Sequence, residues 1–236
     1  MIEFLGDVAR WFGDAANWTG TSGIINRTLE HIQLSAAATA TSAVFALPPA
    51  VWLAHRRIGG TFVVAAVNIG RAIPSFAIVV LFLPISIRLG LGLGFWPTFL
   101  ALVFLAVPPM FTNAYTGVAG VDSDLVEASR GMGMTDREML SRVEIPMASP
   151  VILAALRVAS VQVVATATLG ALVGWGGLGR FIVDGFAWRD NVVVFAGAVL
   201  VAGLAIVTDV AFSVIERRLV PETLRDRSAA VETVAA

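Results

Sequence analysis

Two histidines, no cysteine and no lysine narrow the chemistry open to this 236-residue chain. Without cysteine there is no disulfide, no thiol nucleophile and no cysteine metal site. Without lysine the phosphate-binding pattern G-x-x-x-x-G-K-[ST] cannot be built. His31 and His55 stand at opposite ends of one apolar run. At about 1.5 Å of rise per helical residue they are too far apart to share a metal ion. No Ser–His–Asp or paired-carboxylate arrangement stands out, so no catalytic centre, bound cofactor or metal is expected. Gly174-x-Gly176-x-x-Gly179 has the spacing of a dinucleotide fingerprint. That motif needs a strand before it and a helix after it in a βαβ unit. These glycines follow a long apolar run instead and read as a turn.

The elements that would carry such residues follow from composition. Hydrophobic residues make up 57% of the chain and charged residues 14%, against about 45–50% and about 25% in ordinary soluble domains. The excess excludes disorder, and a soluble globule would expose large apolar patches. A net charge of −1 gives no electrostatic case for nucleic acid. A membrane crossing needs about 20 mostly apolar residues. Five stretches qualify: 32–54, 59–87, 95–119, 147–172 and 191–215. The second contains Gly70 and Pro74, so a kink or tilt is expected there. Arginine placement sets orientation. With the amino terminus outside, nine arginines fall inside, among them Arg56, Arg57, Arg130, Arg137 and Arg142, and five fall outside. The expected fold is an all-α membrane protein with five transmembrane helices and its amino terminus outside.

Residues 1–27 do not read as a cleavable signal, because Asp7, Arg10 and Asp14 interrupt them. Ile2, Leu5, Val8, Phe12 and Ala15 recur at helical spacing, which suits a helix lying in the outer interface; a frayed extension is the alternative. Residues 28–220 form the expected transmembrane domain, and 221–236 a polar cytoplasmic tail. Arg71, Arg157 and Asp209 are charges within spans. Such groups face protein or water, and a structural ion pair or snorkelling is the preferred role over shaping a polar lumen. Gln162, Thr166 and Thr168 on the fourth span are better candidates for lining a pathway. Hydrogen bonding between helices is the competing role for them, as it is for Ser35, Thr39 and Ser42 on the first span. Trp175, Phe181, Phe186 and Trp188 suit an aromatic belt at the membrane interface.

The longest internal polar segment, 121–146, lies on the cytoplasmic side in this arrangement. Asp122 or Ser123 can cap a helix, with Asp124 and Glu127 near its amino end. Gly131 and Gly133 allow the chain to leave that helix. Thr135-Asp136-Arg137-Glu138 then has the form of a capping box, opening a second short helix to about Val143. Pro146 is expected to open the next span, where its missing N–H costs nothing.

This loop resembles the EAA loop of ABC importer permeases, whose pattern is E-A-A, three residues, Gly, nine residues, I-x-L-P. Here stand Glu127-Ala128-Ser129, Gly133 and Val143-Glu144-Ile145-Pro146 at matching spacing. Ser129, Val143 and Ile145 are the departures. Arg71-Ala72-Ile73-Pro74-Ser75-Phe76-Ala77, Asn113-Ala114-Tyr115-Thr116-Gly117 and the run from Glu144 to Gly185 extend the similarity to MetI-like permeases of the glycine betaine/carnitine/choline osmoprotectant group. The resemblance implies the type I importer permease fold, with coupling helices in the loop. Glu127, Ala128, Ser129, Gly133, Ile145 and Pro146 would belong to the ATPase-coupling loop, with Glu127, Ala128 and Gly133 facing the ATPase. It further implies cytoplasmic ATPase partners carrying ATP and magnesium, and a second permease chain, as a heterodimer or a homodimer. An extracytoplasmic binding protein would deliver glycine betaine, choline, carnitine or proline betaine, and the Gly174–Gly179 turn could be a gate or its seat. Methionine-type importers share the loop and are the nearest alternative. A membrane scaffold without transport is an alternative of another class.

Overall fold

The computed structural model describes residues 1–70 and 73–220, and every regular element among them is helical. In chain order these are α1 (Ile2–Gly13), α2 (Ile24–His55), α3 (Gly60–Ile69), α4 (Ser75–Arg88), α5 (Phe95–Ala119), α6 (Ser123–Gly131), α7 (Asp136–Met139), α8 (Ile145–Thr166), α9 (Gly179–Trp188) and α10 (Asn191–Leu219). Four helical stretches are long and apolar enough to cross a membrane: Ile24–His55, Phe95–Ala119, Asp136–Val173 and Asn191–Leu219. The single kinked crossing expected over 59–87 is instead two shorter apolar helices, α3 and α4. Pro74 has no N–H to give a helix and disfavours helical backbone in the residue before it. It therefore stands as the N-cap of α4 rather than as a kink within one helix. Arg71 and the tail 221–236 lie outside the described residues.

Along α2 a seam of Leu34, Ala38, Ser42, Ala46, Ala50 and Ala54 is fully buried. Small residues at this four-residue spacing let neighbouring helices approach closely. Ser35 is buried on the same helix.

The chain divides into two compact units. The first comprises Met1–Thr41, Ile73–Ala106 and Ser160–Thr208. In it the amino-terminal segment is a packed helix rather than a frayed extension. Phe4 meets Phe195 edge-on at 5.5 Å between ring centres, and Trp11 meets Phe181 at 5.6 Å. The Trp18 indole donates to the Phe12 carbonyl at 2.7 Å, fastening the turn after α1. Ile78, Val79 and Ala101 form a buried cluster with Phe82 and Val173 against it.

The second unit comprises the described residues of Ser42–Ala72, Val107–Ala159 and Asp209–Ala236. Here Arg157 grips Asp209 with two hydrogen bonds of 2.7 Å, and Glu216 lies 3.7 Å from the same guanidinium. Of the two structural roles expected, ion pair or snorkelling, Arg157 takes the ion pair, joining α8 to α10. The forked guanidinium suits a carboxylate held by both oxygens.

Candidate functional site

The loop 121–146 is built from local rules that its sequence makes explicit. Asp122 caps α6, its carboxylate accepting from the Asp124 N–H at 2.9 Å. The helix ends in a Schellman motif. The Gly133 N–H bonds the Arg130 carbonyl at 2.9 Å and the Met134 N–H bonds the Ser129 carbonyl at 3.2 Å. This motif requires a left-handed residue, and Gly133 supplies φ +83°. Thr135 and Glu138 then form a complete capping box at the start of α7. Glu138 lies in this polar loop, before the apolar part of the next helix. The Thr135 N–H, and then the Thr135 hydroxyl, hold its carboxyl below the usual glutamate value. Hydrogen bonds to the charged form are the cause.

Beyond α7 the helix does not stop. Leu140–Glu144 is a π turn that runs into α8, so Pro146 does not open a span. It sits one residue inside a helix already under way. A proline ring clashes with the carbonyl four residues back and gives that carbonyl no N–H. The π turn absorbs this: the Ile145 N–H reaches the Leu140 carbonyl, five residues back, the widened geometry of a π-bulge.

Val121, Val126 and Met139 form the buried underside of the loop, with Met147 packed on them. Among the expected coupling residues, Glu127, Ala128, Gly133, Ile145 and Pro146 are exposed. Ser129 is not. It is buried, and its hydroxyl donates to the Leu125 carbonyl at 2.7 Å. It belongs to the inner face of α6, where it sustains the shape of the loop. Leu125 and Met132 are exposed beside Ala128. Their three- and four-residue spacing makes an apolar ridge next to the Glu127 carboxylate. Sequence reasoning passed over that ridge, although the spacing was there to read.

A second constellation lies in the first unit, around the Gly174–Gly179 turn. After α8 the chain tightens into a 3-10 helix, Ala167–Val173. It leaves through Gly174 at φ +88°, with the Trp175 N–H on the Gly170 carbonyl at 2.9 Å. Neighbouring residues of α2 occupy the turn's donors. The Glu30 carboxylate accepts from the Gly177 N–H at 2.8 Å and pairs with Arg27 at 2.9 Å. The buried His31 accepts at Nδ1 from the Leu178 N–H at 3.2 Å, and its Nε2 lies 2.8 Å from the Val164 carbonyl. One neutral imidazole with its proton on Nε2 satisfies both groups. Neither residue's role was visible beforehand. Trp175 packs edge-on against Phe95 at 5.1 Å, while Phe186 and Trp188 are exposed.

Of the pathway candidates, Gln162 is exposed, and Thr166 and Thr168 are half-buried. Gln162 shares its uncovered face of α8 with Val158 and Ala165. The Thr168 hydroxyl donates to the Ala165 carbonyl at 2.9 Å, so its proton is used within its own helix. Among the described residues no group of His, Asp and Glu side chains is placed to hold a metal ion.

An all-helical chain with this loop defines a permease component of a membrane importer. Residues 42–221 match the family described as binding-protein-dependent transport system inner membrane component, and the chain belongs to that family. It is 37% identical over 203 residues to the choline transport system permease protein OpuBB of Bacillus subtilis, covering 86% of this chain and 91% of that one. It is 36% identical to the glycine betaine/carnitine/choline transport system permease protein OpuCB of the same organism, over 88% of this chain and 93% of that one. A chain of the inward-facing MetNI methionine ABC transporter shares its fold. The TM-score is 0.73, with 24% identity, 84% of this chain and 96% of that one. The protein is therefore an inner-membrane permease, of a family that works with ATPase and substrate-binding partners rather than carrying out the hydrolysis itself.

Proposed function

We propose that the chain forms one half of the membrane channel of an ATP-driven importer for quaternary-ammonium osmoprotectants: choline, glycine betaine, carnitine or proline betaine. The relatives named for choline, glycine betaine and carnitine support this substrate class. In this reading the chain crosses the membrane five times, with α3 and α4 together making the second crossing and the amino terminus outside. α1 lies in the outer interface. Five spans enclose no route wide enough for a trimethylammonium compound, so a second permease chain completes it, a different chain or a second copy. An extracytoplasmic binding protein delivers the solute. Gln162 supports a lumen on the uncovered face of α8, since an amide facing lipid is costly; Thr166 and Thr168 would lie along the same route.

The observation that carries the reading is the loop 121–146. It is a capped, glycine-exited pair of short helices with Glu127, Ala128 and Gly133 exposed on it. A cytoplasmic ATPase subunit docks there, ATP with magnesium closes the ATPase pair, and the loop carries that movement into the spans. Ser129 supports the docking face from beneath, and Ile145 and Pro146 mark the loop's exit. Glu127→Lys reverses charge on the exposed face without touching the buried side, so it should abolish solute uptake while the permease still folds. Uptake at full rate would end the docking assignment. In cells carrying the complete system, labelled choline and glycine betaine should accumulate and methionine should not. Accumulation of methionine alone would replace the substrate class with the methionine-type alternative.

A further inference from the structure

The turn after α2 holds both roots of the loop. His55 is the last residue of α2. Its Nδ1 lies 2.5 Å from a carboxylate oxygen of Glu144, with both side chains buried. Glu144 ends the π turn through which the loop joins α8. Two residues after His55, Arg57 donates through Nη1 to the Ala119 carbonyl at 2.6 Å. Ala119 is the last residue of α5, just before the loop starts at Val121. The Tyr115 hydroxyl, one helical turn earlier, donates to the Ile58 carbonyl at 3.0 Å. One four-residue stretch, His55–Ile58, is therefore fastened to the loop's first root and to its last.

The backbone at Arg57 adds a separate observation. α2 ends in a Schellman motif, with the Arg57 N–H on the Ala54 carbonyl at 2.9 Å and the Ile58 N–H on the Leu53 carbonyl at 3.0 Å. The left-handed position of that motif, φ +55°, is held by Arg57. Elsewhere in the described chain the same motif uses Gly90, Gly133 and Gly174 at this position, and Arg189 at φ +57° where α9 ends. An arginine there bears backbone strain that glycine would not. The contact that Arg57 makes is the tie to Ala119, and an orphan carbonyl at a helix carboxy terminus attracts a cation.

We propose that His55–Ile58 is the receiver of the loop's movement. Arg57 and the His55–Glu144 pair are positioning residues that fix the loop's two roots to the start of α3. Displacement of the loop then passes to α3 through Gly59 and Gly60, both at positive φ. This rests on the reading of 121–146 as the ATPase-coupling loop. Arg57 touches neither solute nor ATPase; it acts through the backbone it holds.

The strain at Arg57 lets folding and function be separated. In the complete complex of permease, ATPase and binding protein in lipid vesicles, solute moved per ATP hydrolysed is measured beside the melting temperature of the permease. Arg57→Gly should leave the melting temperature unchanged or raised, because glycine suits φ +55°. It should lower the solute-to-ATP ratio about fivefold, within the range that changes along a coupling route produce. Arg57→Lys keeps a cationic donor and should recover at least half of that loss. Glu144→Gln keeps a hydrogen bond to His55 and should stay nearer to the parent ratio than Arg57→Gly. An unchanged ratio in Arg57→Gly overturns the proposal. So does loss of the ATPase from the complex, which would make the turn a shaper of the docking face. Glu127→Lys in the same assay separates the two readings. If it stops transport while Arg57→Gly does not, only the receiver falls; if it leaves transport intact, the coupling loop itself falls.

Discussion

Gly133 and Gly174 end their helices by the same motif, yet their surroundings differ. At Gly133 a side-chain carbon would meet nothing within 4 Å. The residue is needed only for its left-handed backbone, and the surface around it is open to a partner. Around Gly174 the glycines are needed for room as well. A Cβ on Gly170 would come within 3.1 Å of the Thr98 side chain, and one on Gly179 would overlap the Thr168 carbonyl. Gly94 at φ +84° lies so close to the Trp175 backbone that a Cβ would sit 2.6 Å from its nitrogen. Two of the turn's N–H groups, those of Gly177 and Leu178, are already taken by Glu30 and His31. Identical turn chemistry thus serves a face that is open in one unit and a cluster closed on itself in the other.

The largest effect should come from filling the closed cluster. Gly179→Ala places a methyl against fixed backbone, not against a side chain that can turn away. Overpacking of this kind costs about 3 kcal/mol. Thermal unfolding of the purified permease in detergent should show a clear fall in midpoint. Gly133→Ala has free space and meets only the left-handed penalty of about 1 kcal/mol. Equal falls for the two variants would show that crowding does not distinguish the regions.

A series at Gly133 sharpens the open side of the comparison. Asparagine tolerates left-handed backbone better than alanine does, so Gly133→Asn should be the more stable of the two by a few tenths of a kcal/mol. Gly133→Trp should cost little more stability than Gly133→Ala, since the position is exposed and a Cβ there meets nothing within 4 Å. Its uptake should nevertheless fall to background, because the obstruction would lie on the docking face. If Gly133→Trp transports as well as Gly133→Ala, the open surface is not where the ATPase sits.

How much of this was legible depends on sequence distance. The Thr135–Glu138 box and the Gly133 exit are decided within a few residues, so the sequence displays them directly. Arg157 read as either a structural ion pair or a snorkelling charge, because charge in an apolar run demands a partner or water, and its partner Asp209 is 52 positions away. The partners of His31, Gly177 and Leu178 lie more than a hundred positions apart in the chain. His55 and Glu144 are 89 apart, and Arg57 and Ala119 are 62 apart. No local periodicity encodes such pairs, so both histidines were read only as non-ligands. Pro74 and Pro146 were legible as breakers but not in their outcome. One stands at the start of a new helix, while the other is absorbed by a π turn.

The smallest effect tests the capping box at the start of α7. Glu138 is ionised at neutral pH, and its folded carboxyl is held below its ordinary value by the two bonds from Thr135. A depressed folded value means that the cap stabilises the loop above the unfolded glutamate pKa. The contribution is lost as pH falls through the folded value. Glu138→Gln keeps a side chain able to complete the box but has no proton to gain. The protection of the α7 amides against exchange, taken relative to the unstructured rate at each pH, should therefore fall on acidification in the parent protein more than in Glu138→Gln. The two should differ most at neutral pH, where only the parent carries a charged cap, and converge as pH falls through the folded value; the weak surface pair with Arg142 at 3.7 Å adds little to the difference. The difference should stay confined to the α7 amides, leaving Leu178 and the other donors of the Gly174–Gly179 turn unmoved, because that turn's ties to α2 do not involve the loop. Acid-dependent loosening of both regions together would mean that the open loop and the closed turn do not respond separately, and the contrast between them would fail.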